Sequence, residues 1–288
     1  MEALGAAATV SAQAVLRPGE VLDQGVRAVR GVRGLLADLT APATADPLAE
    51  ASTGIGRRLD AMTLSMPRLR RIAAALDATL NDVVLTAVSG AVGRYHVHRG
   101  IRVERLVCLV PMSLRSDDAR QTLGNRVGAF NVALPVGERD PLARLAYIQR
   151  QTGAAKTDRR GAAYPLLMRV MAVMPGFAYR LLAQSVTGRI NLICTNMPGP
   201  PAQRYLAGAR VEAIYPFAPI AQGTPLSVAL MSYGDTLGVG IDTDPAAIPD
   251  PELLHRYLAA AIDALEACAV RRPTRTKRAP GKREPRGT

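Results

Sequence analysis

The chain has 288 residues, enough for one large or two modest domains with a real core. Hydrophobic residues make up 48% and charged residues 21%, which excludes a wholly disordered chain; aromatics are only 4% with no Trp, so the core must be mostly Ala, Val, Leu, Ile and Met. The net charge of +12 suggests an anionic partner, but residues 271–288 hold eight basic residues and one acidic one, so most of the excess belongs to a tail.

In chain order, Val21, Leu22, Val26, Val29, Val32, Leu36 and Leu39 recur at three- and four-residue steps and predict an amphipathic helix. A spacer rich in Ala, Pro, Thr and Gly follows from Thr40 to Gly56, so residues 1–56 read as a helical connector and linker. Residues 57–66 alternate as a short strand would, and Ser65 with Pro67 then marks a helix start that ends near Thr79. A second helix is expected from about Asn81 to Tyr95, burying Val84, Val88, Ala91, Val92 and Tyr95. ERLVCLVPMSL at 104–114 reads as a buried strand, SDDARQTLG as a polar loop and NRVGAFNVALPV as another strand. Asp140-Pro141 opens a helix through about Lys156, and a further helix is expected from Met168 to Gln184, broken near Pro175. Four strand-like segments follow: RINLICTN, RVEAIYPF, PLSVALMSYG and TLGVGIDTD, the last two joined by a hairpin at Gly234-Asp235. Asp250-Pro251 opens a final helix before the basic tail. Strands mixed with long helices predict an α/β fold, a mixed sheet covered by helices. The expected division is a connector at 1–56, a domain at 57–270 and a disordered basic tail at 271–288.

Cys108, Cys194 and Cys268 are far apart and form no CxxC, which fits a reducing compartment and excludes a disulfide framework. No apolar run reaches the roughly 18 residues a membrane span needs. The apolar N-terminus has no basic segment ahead of it and does not read as a signal peptide. The expected location is cytoplasmic, peripheral on a membrane or lipid inclusion if the tail meets anionic head groups.

Two segments stand out for chemistry. Asn81-Asp82 lies at the mouth of a predicted helix, where such side chains usually satisfy the orphan N–H groups of the first turn. ICTNMPGPP at 193–201 runs a buried strand into a rigid turn with polar Thr195 and Asn196 at its end; a simple strand terminator explains it equally well. Asp242 and Asp244 in IDTDP share one face of a strand, but without further ligands nearby they read as a solvated strand end and no metal is expected. SDDAR at 116–120 is a solvated loop by default. Gly54-Ile55-Gly56 lacks the third glycine and preceding strand of a dinucleotide fingerprint, and neither Ser89 nor Ser113 sits in a nucleophile elbow.

Taken in order, NDVVLTAVSGA, LVPMSLR, LGNRVGAFNVALPVGERDPLARL, TNMPGPP and AIYPFAPIAQGTPLSVALMSYGDTLGVGIDTDP resemble the C-terminal half of the wax ester synthase/diacylglycerol acyltransferase (WS/DGAT) family. The resemblance runs from about Leu59 to Cys268, and the helix and spacer before it resemble that family's interdomain connector. It implies one chloramphenicol-acetyltransferase-like half of a two-half enzyme, with a tunnel between the halves. It also implies a reaction: a histidine of an HHxxxDG motif in the first half takes the proton from an alcohol that attacks an acyl-CoA thioester. Oriented amide donors then stabilise the oxyanion. The implied co-substrate is long-chain acyl-CoA, no cofactor is expected to be bound, and the acceptors are long-chain alcohols or diacylglycerol. By the same resemblance Asn81, Asp82, Asn196, Pro198, Gly199 and Pro200 are site-shaping residues.

This sequence contains no HHxxxDG, so no catalytic residue is identified and the chain is expected to be incomplete and inactive alone. Its histidines are His96, His98 and His255. His96 and His98 project about 200° apart on a helix and could not share a substrate. His255, in the first turns of the last helix, reads as a surface or half-buried residue. Expected partners are an HHxxxDG-bearing first half or a second copy of the chain, and an anionic membrane surface for the tail. Two other readings stand beside the enzyme half. One is a non-catalytic domain that binds lipid or a partner acyltransferase. The other is a nucleic-acid-associated protein, which no interleaved aromatics or fold motif supports.

Overall fold

The computed structural model describes residues 44–52, 55–113, 127–157, 174–177, 180, 188–200, 202–221 and 223–271. The expected helices at 21–39 and 168–184, the loop at 116–120, and the tail beyond Arg271 therefore lie outside the described residues, wholly or in large part.

Local capping chemistry sets most helix starts. Ser65 ends β1 (Arg58–Ser65) and accepts the Arg68 N–H, with Pro67 in the first turn of α2 (Met66–Ala75). Thr79 caps α3 (Leu80–His98), and Asp140 accepts from the Leu142 and Ala143 N–H groups at the start of α4 (Pro141–Thr157). Helix α5 (Glu252–Arg271) follows Asp250-Pro251, where the sequence placed it. The remaining strands are β2 (Leu106–Ser113), β3 (Val127–Leu134), β4 (Leu192–Met197), the short β5 (Tyr205–Leu206) and β6 (Ala209–Arg210), β7 (Leu226–Tyr233) and β8 (Thr236–Thr243). A positive φ at Gly234 turns β7 into β8, the expected hairpin.

Six strands form one sheet in the order β1-β8-β7-β4-β2-β3. The central pairs β7–β4 and β4–β2 are parallel, and β1–β8, β8–β7 and β2–β3 are antiparallel. This is the mixed sheet the element pattern predicted. Alternation along each strand sends Leu64, Val110, Cys194, Leu230, Val239 and Ile241 to one face, where they join the core with the helices. Helix α3 is buried nearly all round, since α2, α4 and α5 surround it on the sheet. Arg68 ties α2 to α5 through Glu266 and Asp263 at 2.6–3.0 Å.

Three sequence expectations change. RVEAIYPF is not a regular strand: beyond β6, residues 211–220 run as a strap over the sheet's second face. Side chains added at Gly238 and Gly240 would collide with the carbonyls of Ile214 and Pro216, so the strap sits where β8 has no side chains. Asp242 and Asp244 are not solvated: both are buried, Asp242 near Arg57 (3.9 Å), and Asp244 accepting from Ser52 Oγ (2.9 Å). Burial pushes the Asp242 carboxyl above the usual aspartate value, with Arg57 and the Ile220 N–H pulling the other way. The third change is in the spacer, where Asp46 caps a short helix, α1 (Pro47–Ala51), and Leu48 enters the core.

Candidate functional site

Helix α3 runs against the direction of the parallel strands. Near its start, Val83 and Val84 line a small apolar gap with Leu64, Leu230 and Leu258. Near its end, Val92, Tyr95 and His96 meet Leu106, Leu192 and Leu226 at the beginnings of β2, β4 and β7. The N-terminus of α3 therefore lies over the carboxyl ends of β4 and β7, the edge of an α/β sheet where ligands are usually held. Asn196 pairs with Leu230 in the β4–β7 ladder. The two segments singled out in the sequence, more than a hundred residues apart, thus come to the same end of the sheet.

Their local chemistry is well satisfied. Asp82 is 4% exposed and forms a capping box with Thr79: it accepts from the Thr79 N–H (3.0 Å) and hydroxyl (2.6 Å), while its own N–H donates to Thr79 Oγ1 (3.2 Å). Its other oxygen accepts the Thr152 hydroxyl of α4 at 2.7 Å. Capping is thus what Asp82 does here, as the ordinary reading of such a residue has it, and Asn81 lies half-buried beside it in the first turn. The sequence reading overlooked Thr79 and Thr152. The first was legible, since Thr79-x-x-Asp82 spells a capping box. Nothing in the sequence points to Thr152.

Asn196 is half-buried near the end of β4, and its neighbour Thr195 is buried on the opposite face. Pro198 is exposed, while Gly199 and Pro200 are half-buried. Gly199 is pressed against the end of β7: a Cβ there would overlap the Ser232 carbonyl, and its N–H donates to Ser232 Oγ at 3.1 Å. A residue with any side chain could not hold this turn so close to β7. Nearby, Tyr233 Oη accepts from the Arg204 N–H and donates to the Val211 carbonyl, tying the β5–β6 hairpin to the same end.

Histidines do not assemble into a base at this end. His96 is buried near the opposite end, with Nδ1 bonded to the Val92 carbonyl (2.8 Å) and Nε2 to Asp46 Oδ1 (3.1 Å). His98 is exposed, and His255 is half-buried. Among the described residues no group of three His, Cys, Asp or Glu side chains could hold a metal ion, and no single helix is long and apolar enough to cross a membrane.

The model of the WS/DGAT C-terminal domain matches residues 123–266, half of the chain. The protein belongs to this family. Among curated WS/DGAT relatives, a probable diacylglycerol O-acyltransferase of Mycobacterium tuberculosis is 30% identical over 88% of this chain and 56% of its own length. The O-acyltransferase WSD of Acinetobacter baylyi is 32% identical over 73% of this chain and 46% of its own. The chain thus spans about half the length of the curated relatives it matches. A solved wax ester synthase/diacylglycerol acyltransferase from Marinobacter aquaeolei superposes with a TM-score of 0.64 at 23% identity, over 84% of this chain and 56% of that one. At that identity the likeness speaks for the fold, and it bears out the acyltransferase-like half expected from the motifs.

Proposed function

We propose that this chain supplies the second half of an acyl-CoA:alcohol or acyl-CoA:diacylglycerol O-acyltransferase site, making wax esters or triacylglycerol. The observation that carries the reading is that the α3 N-terminus and the Asn196–Pro200 turn lie at the same end of the sheet, by the carboxyl ends of β4 and β7. In this role the chain holds and shapes one wall. Asp82 fixes α3 against α4, Gly199 seats the turn on β7, and Asn196 offers an amide close to that turn. The proton-accepting histidine comes from an HHxxxDG-bearing first half, on the same or a separate chain, because no described histidine reaches this end. That half would dock on the sheet face away from the helices. Leu59 (57% exposed) and Phe217 (42% exposed) stand out of that face, and Tyr215 reaches Thr63 there at 2.7 Å. Exposed apolar groups of this kind favour self-association when a partner is missing.

The test is CoA release from a long-chain acyl-CoA, with alcohol or diacylglycerol, for this chain alone and mixed with an HHxxxDG-bearing half of a relative. The expected result is no acceptor-dependent turnover alone, turnover in the mixture, and its loss with Asn196→Ala. Turnover by the chain alone would overturn the assignment of the base to another half. A mixture that associates but stays silent would favour the non-catalytic reading.

A further inference from the structure

At the end of α3 remote from the proposed acyl-transfer wall lies a cleft of about 970 Å³ between α3, α4, α5 and the turns at 101–104 and 136–139. Its wall carries Arg94, Arg102, Arg139 and Arg144 against Glu104 and Glu138. Among the described residues none of these four arginines has a carboxylate within 4.0 Å, although two glutamates share the same wall. Arg144 is the unusual member. It is 8% exposed, donates through Nη2 to the Glu138 carbonyl, and leaves its buried Nε without a partner. Burial lowers its pKa from the usual guanidinium value, Glu138 and Asp140 work against that, and Arg94 stands near enough to add repulsion. A buried cation that forms no ion pair and faces a like charge is ordinarily destabilising unless an anion joins it.

The site is built into the backbone. Arg144 lies over Gly90, where an added Cβ would come within 2.6 Å of Nη1. One turn on, Gly93 lets the Val136 carbonyl come up against the helix, and a Cβ there would overlap it. Two glycines on a buried helix weaken it by about 1 kcal/mol each relative to alanine. Here they make room for a guanidinium and for the turn that bears Glu138 and Arg139. The rest of the wall mixes apolar Val97, Ile101, Val103, Val136 and Ala261 with His96, His98 and Tyr257. The cleft is far larger than an inorganic ion requires, and its lining combines four arginines with apolar side chains.

We propose that this cleft binds a phosphomonoester, its phosphate held by Arg144 with Arg94 and Arg139, and its carbon body laid against the apolar side chains of the wall. Arginine suits this task because its planar fork meets phosphate oxygens two at a time and holds its charge when desolvated. The site is separate from the acyl-transfer wall and does not depend on that assignment. The phosphate could belong to a soluble ester or to a lipid head group.

Titration calorimetry of the 288-residue protein with glycerol 3-phosphate, at constant ionic strength against sodium chloride, tests the proposal. Saturable binding is expected, weakened at least tenfold in R144Q and in R139Q. Arg139 is exposed, so R139Q keeps the test decisive if R144Q fails to fold. No saturable heat above the chloride control, or equal binding by wild type and R139Q, would overturn it. Vesicles containing phosphatidic acid form the second arm. Vesicle binding that R139Q weakens in parallel would assign the phosphate to a lipid; glycerol 3-phosphate binding without it would assign a soluble ester.

Discussion

The two ends of helix α3 are made of similar materials and treated in opposite ways. At the N-terminal end a buried carboxylate, Asp82, receives hydrogen bonds from Thr79 and Thr152, so its charge is compensated on both oxygens. Over the C-terminal half, against Gly90, a buried guanidinium, Arg144, has a carbonyl partner, an orphaned Nε and a neighbouring cation. The difference separates structure from availability. A satisfied buried charge locks elements together, and here it anchors α3 to α4 at the same end of the sheet as the Asn196–Pro200 turn. An unsatisfied one holds binding energy in reserve for something that arrives from solution.

The contrast can be broken by mutation. The largest effect is expected from Gly93→Val, which drives a branched side chain into the Val136 carbonyl. Overpacking of this kind costs about 3 kcal/mol, to be read as a fall in the urea midpoint with unchanged slope. Asp82→Ala comes next. It strips the Thr79 N–H and the Thr152 hydroxyl of their acceptor, and a loss of about 2 kcal/mol is expected by the same measurement. Arg144→Met should differ in kind: removing an uncompensated buried cation is expected to leave stability within about 1 kcal/mol of wild type. A loss as large as that of Asp82→Ala would show that the two ends are equivalent and remove the contrast.

The smallest effect sharpens the picture on the other face of the sheet. Burial raises the pKa of Asp242, so over the window above the ordinary aspartate value the folded chain keeps a proton that the unfolded chain has released. This residue's contribution to stability therefore falls as the pH rises through that window. Asp242→Asn should flatten the slope of stability against pH between about pH 4 and neutrality, measured by denaturant titration at each pH. A slope unchanged by the substitution would mean that Asp242 ionises as freely in the folded chain as in the unfolded one.

Much of the architecture was legible because it is written in contacts of short range. Ser65 with Pro67, Asp140-Pro141 and Gly234-Asp235 each act within four residues, and each element began where those residues said it would. PLSVALMSYG and TLGVGIDTD likewise read as strands and form β7 and β8, and the ordered motifs carried the family. Tertiary structure alone decided the rest. RVEAIYPF has the composition of a strand, but the bare backbone at Gly238 and Gly240 accepts it as a strap, a fit that depends on residues more than twenty positions away. Residues 44–52 look like a linker until distant partners dock them: His96, Asn191 and Asp244 by hydrogen bonds, and the core by taking in Leu48. Asp242 and Asp244 resemble a solvated strand end until strap and spacer cover them. The pairing of Asp82 with Thr152, and the isolation of Arg144, likewise follow from how α4 lies against α3. Local hydrogen bonds and periodicity can be read along a chain; compensation of a buried charge depends on which distant segment packs against it.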